Sequence, residues 1–246
     1  MSYRVVEPIR GLEWIKTAFG LEFRNPMVFL VCGIIALLIF CVPAALYAGG
    51  VVLGTVGQLI IAFLFPILSA GFLQMFRTTD QGGTAEIGQM FWGFQAPGML
   101  PKLAMLGIPS AASAVLSFVL GYILPAGMVS LLGFLIGLAV FGLVFFAVPR
   151  VTFDNIDPIE AFKESISASL ANIIPLLVYF AIAIAACVVL AIVVFVLMFI
   201  PLLGQLLIVL IGLVLGVVLI PWGSGLAYAA YQDVFGGAAA PPPAPM

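Results

Sequence analysis

All eighteen charged residues of the chain lie in four short regions, and the long stretches between them carry none. The regions are Arg4 to Arg24, Arg77 to Lys102, Arg150 to Glu164, and the single residue Asp233. Between them, each pair of apolar stretches is folded back by a short uncharged turn before the next charge appears. A charge at the centre of a bilayer costs about 3 kcal/mol or more. The pattern therefore predicts three transmembrane hairpins with every charge on one face, and no ionisable group inside the bilayer.

Composition agrees with this reading. The chain is 65% hydrophobic and 7% charged, with a mean hydropathy of +1.34, whereas a soluble domain carries about 25% charged residues. So much apolar surface cannot be hidden in a soluble core of this size, and lipid must be the solvent. Eight scattered Lys and Arg form no basic patch able to neutralise phosphates, so no nucleic-acid partner is expected. Cys32, Cys41 and Cys187 all lie in apolar runs and are expected to be small buried hydrophobes. The first twenty-four residues are mixed and charged with no apolar h-region, so the first spanning helix is expected to serve as its own insertion signal.

A spanning helix needs about 20 apolar residues. Six segments qualify: 27–48, 51–75, 103–124, 128–148, 173–200 and 202–231. The turns are Gly49-Gly50, Pro125-Ala126-Gly127, and the region of Pro201 and Gly204. Pro43, Pro66, Pro109 and Pro221 should kink their helices, and the freed carbonyls need protein partners. Ser69, Ser113 and Ser224 are thus expected to face protein. Small-xxx-small spacing at Gly133/Gly137 and Gly212/Gly216 is expected to allow close helix approach. All eight Lys and Arg lie on the side of the membrane that holds the N-terminus, and the three opposite turns carry none, so the positive-inside rule places both termini in the cytoplasm.

The segments ahead of the first and fifth spans match. Leu12, Ile15, Phe19 and Phe23 recur at helical spacing, and so do Ile159, Phe162, Ile166 and Leu170. The same shift pairs Glu13 with Glu160, Lys16 with Lys163, and Asn25 with Asn172. Both read as amphipathic interfacial helices. A weaker copy carries Ile87, Met90, Phe91 and Phe94 beside Trp92. The chain to residue 235 is therefore read as one transmembrane domain of three parallel repeat-like units, about 8–80, 84–154 and 157–235. Residues 236–246 read as a disordered Ala/Pro-rich tail.

The available chemistry argues against an enzyme. There is no histidine, hence no Ser-His relay and no His-ligated metal, and no carboxylate falls within a span. No catalytic, metal or cofactor-binding residue is proposed, and no cofactor is expected. Ion-coupled transport is disfavoured for the same lack of buried ionisable groups. Arg77 and Arg150 follow spans as stop-transfer anchors; headgroup or partner contact is the functional alternative.

The segments Phe146 to Phe153, Asp157 to Ser165, Asn172-Ile173-Ile174-Pro175, Gly11 to Ile15, Asn25-Pro26 and Pro66 to Gly71 together resemble a family of small proteobacterial six-span inner-membrane proteins with no assigned activity. More distantly they are similar to the membrane-anchor domain of glycerophosphodiester phosphodiesterases. The likeness covers nearly the whole chain to Phe235 and brings no catalytic residues. The phosphodiesterase's soluble barrel is absent, so that activity is not implied.

These readings converge on an all-α, polytopic inner-membrane protein with six spans as three hairpins, each preceded by a cytoplasmic interfacial helix. The expected role is non-enzymatic: an accessory or scaffold protein that binds lipids or membrane-protein partners, or self-associates. Trp14, Arg77, Trp92, Arg150 and Phe162 are the expected headgroup or partner contacts, with Phe91 beside them. A transporter or flippase for neutral or lipid-like substrates is the alternative. A polar groove lined by Gln58, Gln74, Ser69 and Ser224 would favour it.

Overall fold

The computed structural model describes residues 3–236, so the Ala/Pro-rich tail beyond Gly236 lies outside the described residues. Those residues form eleven α-helices and no strand. Six helices are long and apolar enough to cross a membrane, the make-up of a multi-pass membrane protein. Helix α1 (Arg10–Glu22) leads into α2 (Pro26–Ala44), and a 3-10 turn, Ala45–Gly49, joins it to α3 (Val51–Asp80). A 3-10 turn at Ile87–Phe91 and the short α4 (Trp92–Gln95) precede α5 (Met99–Met105), α6 (Ile108–Leu120) and α7 (Ala126–Val144). Then come α8 (Ala147–Asp154), α9 (Pro158–Ala171), α10 (Ile173–Leu197) and α11 (Leu203–Val234).

Local chemistry explains the boundaries. Asp157 caps α9 by accepting from the Ile159 N–H, with Pro158 in the first turn, where a missing donor costs nothing. Pro26 likewise opens α2. Pro43, Pro66 and Pro221 sit inside their helices, and Pro109 lies inside the third candidate span, Met99–Leu120, just after that span is interrupted. It stands in the first turn of α6, and the interruption between α5 and α6 is at Leu106 and Gly107.

Burial is concentrated toward the charge-bearing ends. In α3 it is continuous over one stretch, with Pro66, Ile67, Leu68, Ser69, Ala70, Gly71, Phe72 and Leu73 all buried. In α11 nearly all burial begins at Pro221. Only Pro175 and Leu176 are buried in α10, and no residue of α7 is. The core therefore forms where α3, α8 and α11 meet, around Phe72, Phe76, Phe146, Val151 and Tyr228. The uncharged ends of the spans leave their side chains to lipid.

The two matched segments bury matched positions. α1 buries Gly11, Trp14, Ala18, Leu21 and Glu22; α9 buries Pro158, Ala161, Ser165, Ala168 and Ser169, and in addition Glu164, whose α1 counterpart Thr17 is exposed. Each α9 position follows its α1 counterpart by the same shift that pairs Asn25 with Asn172. The buried faces hold mostly small residues. The bulky stripe is only partly buried: Phe23, Ile159, Ile166 and Leu170 are exposed, and Leu12, Ile15, Phe19 and Phe162 are half-buried.

Several expectations need correction. The middle segment is no regular amphipathic helix. Ile87 and Phe94 are exposed while Met90 is fully buried, because the 3-10 turn and the left-handed Gly98 break the segment into short pieces. Cys32 is buried, but Cys41 and Cys187 face outward, where lipid accepts a thiol as readily as a core does. Of the four glycines expected to allow close approach, Gly133, Gly137 and Gly212 meet no close neighbour, while Gly216 lies tightly against Leu37 of α2. A close backbone approach lies at Gly33, where a Cβ would collide with the Val217 carbonyl of α11.

Candidate functional site

Two helical rows build a cleft between the spans. On α3, Gln58, Ile61, Ala62 and Phe65 share one face; on α6, Ser110, Ser113 and Ser117 do the same at spacings of three and four. With Gly137 and Val140 of α7 they enclose a cavity of about 380 Å³. A second cavity of about 320 Å³ continues from it, bounded by Pro66 and Ser69 of α3, Val144 of α7, Tyr179 of α10 and Leu226 of α11. Phe65, Ser110, Gly137 and Val140 line both. The result is one continuous cleft with an amide and four serine hydroxyls along apolar walls, and no charged residue lines it. Such walls can hold apolar chains and exchange hydrogen bonds with neutral polar groups. They offer nothing to stabilise a bare ion.

At the charge-bearing end, three aspartates close three spans: Asp80 on α3, Asp154 on α8 and Asp233 on α11. A carboxylate there faces the negative end of the helix dipole and needs donors. Asp80 receives the Tyr228 hydroxyl at 2.8 Å. Asp154 receives the Tyr231 hydroxyl at 2.9 Å and pairs with Arg150. Asp233 receives the Trp14 indole N–H at 2.7 Å and the Arg10 Nε–H at 2.6 Å. Helix α11 thus supplies both tyrosines and one aspartate, tying α1, α3 and α8 together.

The expected contact residues fall into different settings. Trp14 is not a headgroup contact. It is 1% exposed: Gly11 lets α1 pack against the Pro175 carbonyl of α10, and the indole N–H reaches Asp233 of α11. Arg150 is half-buried, bonded to Glu164 at 2.7 Å, and lies over the Phe235 ring. Arg77 is exposed, with its guanidinium 5.4 Å from the Phe153 ring centroid. Trp92, Phe91 and Phe162 are half-buried and packed against the core. The structure brings Arg77 to α8, the helix that carries Arg150, but does not gather the five into one patch.

Ser69 and Ser224 face protein and bond to each other, and Ser113 lines the cleft. Gln58 and Ser69 are in the cleft as the transport reading requires; Gln74 and Ser224 are not among its lining residues. Of the Ser110-Ser113-Ser117 row only Ser113 was singled out in the sequence.

Sequence reasoning missed Glu22 altogether. It is 6% exposed, and burial pushes its carboxyl up to about 7. Its Oε2 and the Trp222 Nε1 are the only buried side-chain polar atoms without a hydrogen-bond partner among the described residues. No sequence signal marks Glu22, since it lies among other charges at a helix end.

No protein-family model, no curated protein and no solved structure matches the chain. The likeness described above rests on its motifs alone, and the site has to be read from its own chemistry.

Proposed function

We propose that this is a non-enzymatic inner-membrane protein of bacterial type that holds a lipid-like molecule in the cleft bounded by α3, α6 and α7. Its charges and both termini lie in the cytoplasm. The observation that carries the reading is the row of Gln58, Ser117, Ser113, Ser110 and Ser69 along otherwise apolar walls. Polar groups facing hydrocarbon are costly unless they meet a partner, and polar membrane residues gather where they line a path or a ligand site. Neutral hydroxyl and amide groups suit the ester and hydroxyl groups of a lipid, and the apolar walls suit its chains.

The outward stripe of Ile159, Ile166 and Leu170 supports α9 lying at the headgroup level. The matched burial of α1 and α9 supports a repeated unit of interfacial helix plus two spans, with the middle unit remodelled. Continuity between the two cavities favours a second reading, in which the same class of molecule crosses between leaflets.

The test is native mass spectrometry of the gently purified protein. Ser113→Leu with Ser117→Leu fills the cleft, so co-purified lipid should fall several-fold while the protein stays folded. Unchanged lipid retention would sink the cleft reading. A stoichiometric protein that co-purifies instead would make this an accessory subunit. Proteoliposomes carrying a fluorescent lipid separate holding from crossing, since only crossing exposes the inner-leaflet probe to an external quencher.

A further inference from the structure

We propose a second lipid site, specific for a primary-ammonium headgroup, at the seam of α1, α2 and α11. It lies away from the cleft: its α11 residues are Val217 and Val218, whereas the cleft uses Gly223, Leu226 and Ala227, which project from another face of the helix. It therefore stands or falls independently of the cleft reading.

The groove has a volume of about 150 Å³ and is lined by Glu22, Pro26, Met27, Leu30, Val217 and Val218, with Phe23 at its rim. Every lining group except Glu22 is apolar. Glu22 is more than nine-tenths buried and its Oε2 has no partner among the described residues. Glu22 forms no ion pair with any described Lys or Arg. The second unpartnered polar atom, the Trp222 Nε1, does not line the groove but lies next to it along both helices: Trp222 follows Val218 by one helical turn and stacks on Phe19 with centroids 5.0 Å apart, and Phe19 precedes Glu22 by one turn.

Two unsatisfied buried atoms at one seam, one accepting and one donating, describe the chemistry of what completes it. The acceptor is a carboxylate, so the donor that recovers most is a cation bearing N–H groups. The free indole N–H suits an anionic or ester oxygen. A primary-ammonium phospholipid carries both, and its acyl chain continues along Met27, Leu30 and Val217 on the spanning helices. Glu22 sits at the end of α1, directly before the membrane-spanning α2, at the depth where such a headgroup lies.

The experiment titrates the purified full chain in detergent with phosphatidylethanolamine, phosphatidylcholine or phosphatidylglycerol and counts bound lipids by native mass spectrometry. Phosphatidylcholine keeps the positive charge but has no N–H; phosphatidylglycerol has no cation. Phosphatidylethanolamine should bind about tenfold or more tightly than either, in line with a hydrogen bond to a charged group. Glu22→Gln should abolish that preference, and Trp222→Phe should weaken it by a smaller factor. Leu30→Trp leaves Glu22 intact, fills the groove and should displace the lipid, so the idea stays testable if Glu22→Gln fails to fold. Glycerophosphoethanolamine, which lacks chains, should not compete. Equal binding of the three lipids, a preference that survives Glu22→Gln, or full competition by the chainless headgroup would each overturn the proposal.

Discussion

The hydroxyls of Ser69 and Ser224 lie 2.9 Å apart in the buried seam between α3 and α11. Each follows a helix-internal proline by three residues, Pro66 and Pro221. The prolines remove backbone donors, and the serine pair lies where burial in both helices becomes continuous.

That bond should be visible in a double-mutant cycle. Ser69→Ala and Ser224→Ala should each cost about 1 kcal/mol, since each leaves the other hydroxyl unpaired in a dry seam. The double variant should cost clearly less than the sum, with a coupling of about 0.6 kcal/mol, usual for such bonds in membranes. Strict additivity of unfolding free energies in mixed micelles would mean the pair contributes nothing.

The Arg150 and Glu164 pair joins α8 to α9, with guanidinium and carboxylate 2.6 Å apart. Their side chains are 18% and 7% exposed. Removing the cation strands a buried carboxylate, so Arg150→Gln should destabilise by about 3 kcal/mol. Adding Glu164→Gln should recover part of that loss. Thermal unfolding that ranks the double variant below the single one would contradict this account.

Gly33 and Gly212 separate real packing from mere glycine content. Gly33→Ala drives a Cβ into the Val217 carbonyl, which is backbone and cannot rotate away. It should cost about 1–3 kcal/mol and loosen α2 from α11. Gly212 has open space around it, so Gly212→Ala should be neutral or gain up to about 1 kcal/mol from helix propensity. Equal effects at the two sites would refute the packing assignment.

Glu22 should leave a signature in the pH dependence of stability when no lipid is bound. Burial raises its carboxyl to about 7, against about 4.3 in an unfolded chain. The folded state therefore favours the protonated form. The stability this contributes is fully present below about pH 4.3 and is lost as pH rises through 7. The α2 and α11 residues lining the groove carry no titratable group, and Arg24, two residues on, is exposed. Glu22→Gln should flatten the profile and raise the melting temperature at pH 8. A variant whose profile matches that of the parent chain across pH 4–8 would remove Glu22 as the cause.

Hydropathy and charge placement alone were enough for the class of the protein. Six apolar segments with the charges confined between them admit an all-helical, multi-pass arrangement, because hydrocarbon penalises charges and unpaired backbone groups alike and a helix of about 20 apolar residues avoids both. The spans begin and end within a few residues of the expected positions except near Pro109, where the α5–α6 break intervenes. Of the α6 serine row only Ser113 was singled out in the sequence, although the spacing of Ser110, Ser113 and Ser117 puts all three on one helical face.

Which side of each helix turns inward was not readable, and the reason is physical. In water an apolar stripe marks the buried face. Beside lipid, core and solvent are both apolar, so Ile166 and Leu170 can face outward while Ala168 and Ser169 pack inward. The tertiary structure alone decided that Trp14 is an internal donor to Asp233 rather than a headgroup contact. It also decided that Gln58 meets the serines of α6 across a cleft, and that Glu22 is left with an unpartnered oxygen. Each depends on which helices approach one another, and that is set by small residues and shape rather than by hydrophobicity.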